Sequence, residues 1–174
     1  MNVILFGYRG SGKTSIGRKL ADQLWKEFAD VDDETRKRFN GATIAGIWKE
    51  HGEPAWRAAE VEATRELCGR SDYVIALGGG TLMQPGAREA VQQCDPAVRV
   101  YLQCDPAELA RRIAADPQTS ATRPNLTNLG GGVEEIVAVL AQREPVFRAV
   151  ADHVFDVSHV NVEDAVRYLI KRCL

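Results

Sequence analysis

Short apolar runs alternate with longer amphipathic stretches along the whole chain. Five runs have the length and composition of buried strands, and they lie at residues 2–6, 28–32, 73–77, 99–102 and 154–157. The stretches between them carry apolar residues at helical spacing, so strands and helices alternate throughout. This pattern predicts one α/β domain over residues 1–174, a three-layer sandwich in which helices flank a five-stranded parallel sheet.

Capping residues and helix breakers refine the helical stretches. Thr43 and Asp105 stand where N-caps are expected, each just before a helical pattern begins. Pro145 is expected to interrupt or kink the helix that starts at residue 134, because proline lacks the N–H that a helix interior uses. The helical region at about 33–62 follows the second strand and presents polar groups at the amino-terminal end of its last helix.

The stretch at about 116–132 has no periodicity and collects proline, threonine, asparagine and glycine. Loops of this length in compact domains are commonly either functional lids or disordered segments, and of these two we expect a lid loop here. Its one basic residue, Arg123, is held just before Pro124, and this placement predicts a lid that carries a single charged finger.

Composition excludes several classes of partner. The chain of 174 residues has a formal charge of −2 and a pI near 6.0, which gives no field for nucleic acid or an anionic membrane. No apolar run approaches the roughly 18 residues that a membrane span requires. The cysteines show no metal-ligand spacing and suggest reduced thiols, so we expect a cytoplasmic protein. We also expect a monomer. They are Cys68, Cys94, Cys104 and Cys173.

The strongest chemical signal is the stretch at residues 7–14, which fits G-x-x-x-x-G-K-[ST] between a strand and a helix. Backbone N–H groups of such a loop and the positive end of the helix dipole converge on one point, where a polyphosphate binds. Lys13 would lie against the terminal phosphates and the Thr14 hydroxyl would coordinate Mg²⁺. We expect ATP to contact Gly10, Ser11, Gly12, Lys13, Thr14 and Ser15.

Two further groups follow predicted strand ends. Asp30 and Asp32 close the second predicted strand, where alternation places both carboxylates on one side, and Gly78, Gly79 and Gly80 follow the third. Ligands bind beyond the carboxyl ends of parallel strands, so these segments and the phosphate-binding loop should meet. Asp32 would orient or deprotonate an acceptor hydroxyl, and Asp30 would hold Mg²⁺. The alternative is that the two aspartates only cap the next helix.

Six stretches, in order and spacing, resemble the shikimate kinase family over nearly the whole chain. They are residues 7–14, Phe28-x-Asp30-x-Asp32, Gly52-Glu53-x-x-Trp56-Arg57-x-x-Glu60, Leu77-Gly78-Gly79-Gly80, Arg123-Pro124-x-Leu126 and Arg143-x-Pro145-x-Phe147. The resemblance implies a P-loop kinase fold with a lid, and transfer of phosphate from ATP to the 3-hydroxyl of shikimate.

The resemblance also implies roles for single residues. Arg57 and Arg143 would grip the substrate carboxylate, Gly78 to Gly80 would contribute backbone to the substrate ring, and Asp32 would be the base. Arg123 would reach the ATP phosphates. Adenine would pack against Arg112, with its neighbour Arg111 as the alternative. Without the resemblance, Arg57 and Arg143 would be interpreted as solvated charges on helices.

Two other functions compete with this interpretation. One is another small-molecule kinase of the same scaffold, for a gluconate or a nucleoside monophosphate, which the triple glycine and the Arg57 and Arg143 pair argue against. The other is a nucleotide-binding protein that has lost catalysis. The presence of Lys13, Thr14 and Asp32 disfavours it.

Overall fold

The structure is a computed structural model that describes residues 1–116 and 132–173. Five strands form one parallel sheet in the order β2-β3-β1-β4-β5, as the apolar runs predict. The strands are β1 (Asn2–Phe6), β2 (Glu27–Asp30), β3 (Tyr73–Ala76), β4 (Ala97–Gln103) and β5 (His153–Asp156). The central strand β1 is buried along its whole length, which explains its uninterrupted apolar sequence.

Helices connect the strands and flank the sheet. They are α1 (Lys13–Leu24), α2 (Val31–Lys37), α3 (Ile44–His51), α4 (Glu53–Cys68), α5 (Pro85–Gln93), α6 (Pro106–Ala115), α7 (Gly132–Val150) and α8 (Val162–Arg172). A short 3₁₀ turn at Thr81–Met83 follows β3. Within the described residues no helix is both long and apolar enough to cross a membrane. Most of the predicted lid, including Arg123, lies outside the described residues.

Several helix ends agree with the capping prediction. The Thr43 hydroxyl accepts a hydrogen bond from the Gly46 N–H at the start of α3, and the Asp105 carboxylate accepts from the Ala107 and Glu108 N–H groups at the start of α6. Of the two outcomes expected at Pro145, an interruption of the helix is wrong, because α7 continues through it to Val150. A kink at Pro145 stays a prediction.

An aromatic cluster fills the core between the sheet and α7. Phe6, Tyr101 and Phe147 are at most 2% exposed, and their ring centroids lie 5.1 to 6.1 Å apart. Phe147 stands in the last turns of α7, beyond Pro145. Burial of these rings holds the end of α7 on the sheet, and it favours a continued helix where proline alone would favour a break.

On α1, Gly17 packs directly against side chains of the sheet. A Cβ at Gly17 would lie 2.6 Å from the ring of Phe28 and 3.4 Å from the Leu5 side chain. The sequence therefore needs a residue without a side chain here, although glycine is a poor helix former.

We expect Gly17→Ala to lower the free energy of unfolding by up to about 2 kcal/mol. Overpacking costs about 1–3 kcal/mol, and the better helix propensity of alanine offsets roughly 1 kcal/mol of that cost. Urea denaturation followed by circular dichroism measures it. Gly69→Ala is the matched control, because Gly69 has φ −77° and its Cβ would meet nothing closer than 3.5 Å. Equal stability of the Gly17→Ala protein and the parent would contradict the prediction.

Candidate functional site

The loop between β1 and α1 has the geometry of a phosphate cradle. Gly12 is the N-cap of α1 with φ 89°, a left-handed conformation that favours glycine. The Ser11 N–H donates to the Tyr8 carbonyl at 3.2 Å, and the Lys13 Nζ donates to the carbonyls of Gly7 at 3.0 Å and Tyr8 at 2.9 Å. The lysine thus closes the loop, and the amino terminus of α1 faces a cavity.

This main cavity measures about 930 Å³ and lies beyond the carboxyl ends of the central strands. Its volume is that of a site for a large ligand such as a nucleotide. Among the residues that line it are ten for which the sequence predicts a role. They are Gly10, Ser11, Gly12, Lys13, Thr14, Ser15, Asp30, Asp32, Gly79 and Arg112.

The Asp30 carboxylate joins the loop to the second strand. Its Oδ2 accepts a hydrogen bond from the Thr14 hydroxyl at 2.8 Å, and its Oδ1 accepts from the Asp32 N–H at 3.0 Å. Asp30 is therefore the N-cap of α2 and also lines the main cavity. The capping alternative is correct for Asp30, but capping and a place in the cavity occur together.

The prediction that Asp32 ends the second strand is wrong. β2 stops at Asp30, and Val31 and Asp32 form the first turn of α2. The aspartate cap starts the helix two residues earlier than the apolar pattern indicates. Strand alternation therefore does not place the two carboxylates, yet both line the main cavity because the helix begins at the end of the strand.

A second, narrower pocket opens beside the main cavity, and we call it the arginine pocket. It is lined by Arg9, Asp32, Ile44, Trp48, Trp56, Arg57, Glu60, Gly79, Gly80 and Arg143. Asp32, Ile44 and Gly79 line both spaces and so stand at their junction. The structure thus places the Asp32 carboxylate between a nucleotide-sized cavity and a pocket rich in guanidinium groups.

Glu60 holds Arg57 in the arginine pocket. Glu60 is 1% exposed, and its Oε2 accepts a hydrogen bond from the Arg57 Nη1 at 2.8 Å. Its Oε1 accepts from the Thr81 hydroxyl at 2.6 Å. Glu53 accepts a second bond from Arg57, at 3.1 Å. Burial lowers the pKa of Arg57, but the Glu60 carboxylate outweighs it, so the net shift is upward.

Arg143 enters the same pocket from α7, and its Nη1 donates to the Gly79 carbonyl at 2.7 Å. Its pKa is lowered, chiefly by burial, and the neighbouring charges of Arg57 and Arg9 add to that effect. A buried cation among like charges is a binding element for an anion, because an anionic ligand would relieve the repulsion.

The three glycines after β3 lie directly against the charged groups. A Cβ at Gly78 would collide with the Asp32 carboxylate, and one at Gly80 would lie 3.1 Å from the Arg57 guanidinium. Gly79 and Gly80 line the arginine pocket, whereas Gly78 is buried beneath Asp32 and Glu60. Glycine here leaves room for the charged side chains as well as for a ligand.

Of the two arginines considered for the base of a nucleotide, Arg112 lines the main cavity. Its Nη2 donates to the Val157 carbonyl at 2.7 Å, and its Nε donates to Glu108 at 2.7 Å. Arg111 is 70% exposed and also donates to Glu108. Hydrogen bonds from both arginines lower the pKa of Glu108 to about 2. The geometry thus favours Arg112.

Five residues that line the arginine pocket lack a role in the sequence-based site, namely Arg9, Ile44, Trp48, Trp56 and Glu60. Arg57 and Glu60 are three residues apart on one helix, and this spacing indicates an ion pair from the sequence alone. Trp48 follows Ile44 by four residues on α3, so the two share one face of that helix. Arg9 occupies a variable position of the loop motif, and the motif does not indicate which space its side chain lines.

A phosphate-binding loop after β1, a nucleotide-sized cavity and an adjoining anion pocket define a P-loop kinase. A family model for shikimate kinase matches residues 9–174. The shikimate kinase of Oleidesulfovibrio alaskensis is 38% identical over 154 residues, 88% of this chain and 87% of the relative. The shikimate kinase of Rhodopirellula baltica is 34% identical over 170 residues, which cover 98% of this chain and 89% of the relative. The chain therefore belongs to the shikimate kinase family.

Solved structures agree with this assignment. The shikimate kinase of Acinetobacter baumannii in complex with shikimate is 32% identical, with a TM-score of 0.85 over 98% of this chain and 90% of that one. A gluconokinase from Sinorhizobium meliloti is 20% identical, with a TM-score of 0.53 over 95% of this chain and 87% of that one. It shares the fold alone. The predicted fold class is thus confirmed.

We expect Glu60→Ala to lower the free energy of unfolding by about 3 kcal/mol, because it leaves the Arg57 charge and the Thr81 hydroxyl without their buried partner. Urea denaturation measures the change. Glu62→Ala on the same helix is the matched control, since its bridge to Arg65 joins side chains that are 55% and 51% exposed. That variant should stay within about 1 kcal/mol of the parent. Equal losses in both variants would contradict the role given to Glu60.

Proposed function

We propose that the protein transfers the γ-phosphate of ATP to the 3-hydroxyl of shikimate and forms shikimate 3-phosphate, a step of chorismate and aromatic amino-acid biosynthesis. One observation carries the proposal: Asp32 stands at the junction of the main cavity and the arginine pocket. A carboxylate at that point suits a base that takes the proton of a hydroxyl as the hydroxyl attacks a phosphoryl group.

On the donor side, ATP would fill the main cavity with its phosphates on the loop and its adenine beside Arg112. Lys13, which now donates to the Gly7 and Tyr8 carbonyls, would turn one or more of its N–H groups to the β- and γ-phosphates. Arg123 lies outside the described residues and stays a prediction as the lid cation that reaches the phosphates.

Mg²⁺ fits the oxygen atoms beside the loop. The Thr14 hydroxyl and the Asp30 carboxylate lie 2.8 Å apart and line the main cavity, and such hard oxygen ligands are those that Mg²⁺ prefers. Thr14 would hold the ion directly and Asp30 through its water shell. When bound, Mg²⁺ neutralises the charge that develops on the phosphates.

On the acceptor side, Arg57 and Arg143 would bind the carboxylate of shikimate. A planar guanidinium matches a carboxylate with two parallel hydrogen bonds, and Glu60 already orients one of the two. The backbone of Gly79 and Gly80 would contact the ring, with Gly78 supporting the Asp32 side chain. Asp32 would then accept the proton of the 3-hydroxyl.

The proposal also covers the oligomeric state of the protein and its location in the cell. We propose a monomer, because the main cavity and the arginine pocket both form within one chain. We also propose a cytoplasmic location, where ATP and reduced thiols occur. Cys68, Cys94, Cys104 and Cys173 are all free thiols.

Other acceptors remain the alternatives to test. A nucleoside monophosphate would call for cations around a second phosphate and a pocket for a base, whereas the arginine pocket is narrow and suits a small carboxylated polyol. ADP release with ATP and shikimate, gluconate or AMP decides between them. Turnover with another acceptor and none with shikimate would refute the proposal, and no turnover with any would favour a nucleotide-binding protein without catalysis.

We expect Arg57→Ala to lower kcat/KM for shikimate by about 10- to 150-fold, the equivalent of roughly 1.5–3 kcal/mol for a charge-assisted hydrogen bond. The KM for ATP should barely change. Steady-state kinetics with each substrate varied in turn measures both. Arg65→Ala, on the exposed side of the same helix, is the matched control. Weaker ATP binding with unchanged shikimate affinity would show that Arg57 does not serve the acceptor.

We expect Asp32→Asn to suppress turnover while both ligands still bind, because the amide keeps the size of the side chain but cannot take a proton. Trp48 and Trp56 line the arginine pocket, so tryptophan fluorescence reports shikimate binding in the same protein. Turnover is measured by coupled ADP release. A variant with near-normal turnover would remove Asp32 from the role of base.

A further inference from the structure

Two of the four cysteines are neighbours in the fold, although 25 residues separate them in the sequence. Cys68 is the last residue of α4, and Cys94 directly follows α5 as its C-cap. The Cys94 thiol donates a hydrogen bond to the Cys68 carbonyl, with 3.4 Å between sulfur and oxygen. The two helices thus end side by side and bring both thiols to one place.

Hydrogen bonds fix the backbone that carries both cysteines. The Asn2 amide, on a residue 2% exposed at the start of β1, donates to the Arg70 carbonyl at 2.7 Å and to the Cys94 sulfur at 3.5 Å. Arg99 on β4 donates to the Cys94 carbonyl at 2.6 Å. The chain just after Cys68 and the Cys94 side chain are therefore held by the same amide, which limits how far the two sulfur atoms can separate.

A small reagent can reach the pair from solvent. Both cysteines line a surface pocket of about 390 Å³ beside α4 and α5. Cys68 is half-buried, whereas Cys94 is 5% exposed. The reagent would therefore meet Cys68 first, with Cys94 behind it as the second thiol.

In the reduced protein the two thiols interact with each other. Burial raises the pKa of the Cys68 thiol to about 12, and the neighbouring Cys94 thiol adds to that effect. Cys68 is therefore protonated at neutral pH, and because the thiolate is the reactive form, its oxidation is slow. A pair of this kind stays reduced under ordinary cytoplasmic conditions and responds to sustained exposure to an oxidant.

The chain between the two cysteines is important for the site. It contains β3 and the triple glycine, whose Gly79 carbonyl accepts a hydrogen bond from Arg143. Among the described residues that line the main cavity and the arginine pocket there is no cysteine. The pair thus lies at the base of a functional segment without taking part in its chemistry.

We propose that Cys68 and Cys94 form a reversible disulfide when the protein meets a peroxide. The Cys68 sulfur attacks one oxygen of hydrogen peroxide, the O–O bond breaks, and the leaving hydroxide takes the thiol proton away as water. The Cys94 sulfur then attacks the sulfur of the Cys68 sulfenic acid, the S–O bond breaks, and a second water leaves with the Cys94 proton. Two electrons pass from the two sulfur atoms to the peroxide.

The bridge would fasten the segment around β3. A cross-link removes conformational freedom from the unfolded chain, so the oxidised protein should be the more stable form. We expect its Tm to lie about 5–10 °C above that of the reduced protein. A dithiol reductant would open the bridge by thiol–disulfide exchange and restore the lower Tm. Neither step of the oxidation involves ATP or an acceptor, so the bridge is independent of the proposed function.

The test treats the full chain with hydrogen peroxide, removes the excess with catalase, blocks remaining thiols with iodoacetamide and digests with trypsin. Cleavage after arginine places each cysteine on its own peptide, at residues 66–70, 89–99, 100–111 and 173–174. We expect the first two peptides to be linked, about 2 Da lighter than the sum of their reduced masses, and to separate in dithiothreitol. Thiol titration of the unfolded protein should fall from four thiols per chain to two.

Two cysteine variants are the matched controls. A protein with both Cys104→Ser and Cys173→Ser retains the pair and should give the same linked peptides and the same rise in Tm on oxidation. Cys94→Ser removes the second thiol and should give no linked peptide and no rise in Tm. Cys94→Ala replaces Cys94→Ser if the latter does not fold.

Three outcomes would overturn the proposed bridge. They are four unlinked peptides after oxidation, a link from either cysteine to Cys104, Cys173 or a second chain, and a Cys68 that gains oxygen atoms without any link. A linked protein whose Tm does not rise would overturn the stabilising effect on the segment around β3. Turnover is not measured in any of these experiments, so a negative result would leave the proposed function unaffected.

Discussion

The constraint on which the site depends is the parallel order of the three strands β2, β3 and β1. Asp30 pairs in register with Ala76, and Ala76 pairs with Leu5, so the carboxyl ends of these strands lie in one row. The aspartates, the triple glycine and the phosphate-binding loop each follow one end of that row. Any other strand order would separate Asp32 from either the phosphate-binding loop or the triple glycine.

The site also depends on buried charges, which are connected by a series of hydrogen bonds and ion pairs. Thr81 donates to Glu60, Glu60 holds Arg57, and Gly80 leaves space for that guanidinium. Arg143 is held instead by the carbonyl of Gly79. The turn after β3 thus positions both arginines, which explains why three consecutive residues there have no side chain. Rigid placement of the charges lowers the conformational entropy that these side chains lose when a ligand binds.

The sequence predicts the fold well, because apolar runs and helical periodicity report burial directly. It fails where two local preferences compete. At Asp30 the capping preference of aspartate ends β2 earlier than the apolar character of Val31 indicates, and at Pro145 packing of Phe147 maintains a helix that proline disfavours. Local sequence also does not distinguish Arg57 from Arg65, which lies on the exposed side of α4, since only the tertiary fold decides which guanidinium is buried.

The choice of arginine in the pocket follows from the burial of the cations. Burial and like charges lower the pKa of Arg143, and the same surroundings would bring a lysine much closer to losing its proton near neutral pH. The intrinsic pKa of a guanidinium is high enough to keep the charge in such a place. A pocket that collects several cations around one small anion therefore requires arginine at its most buried position.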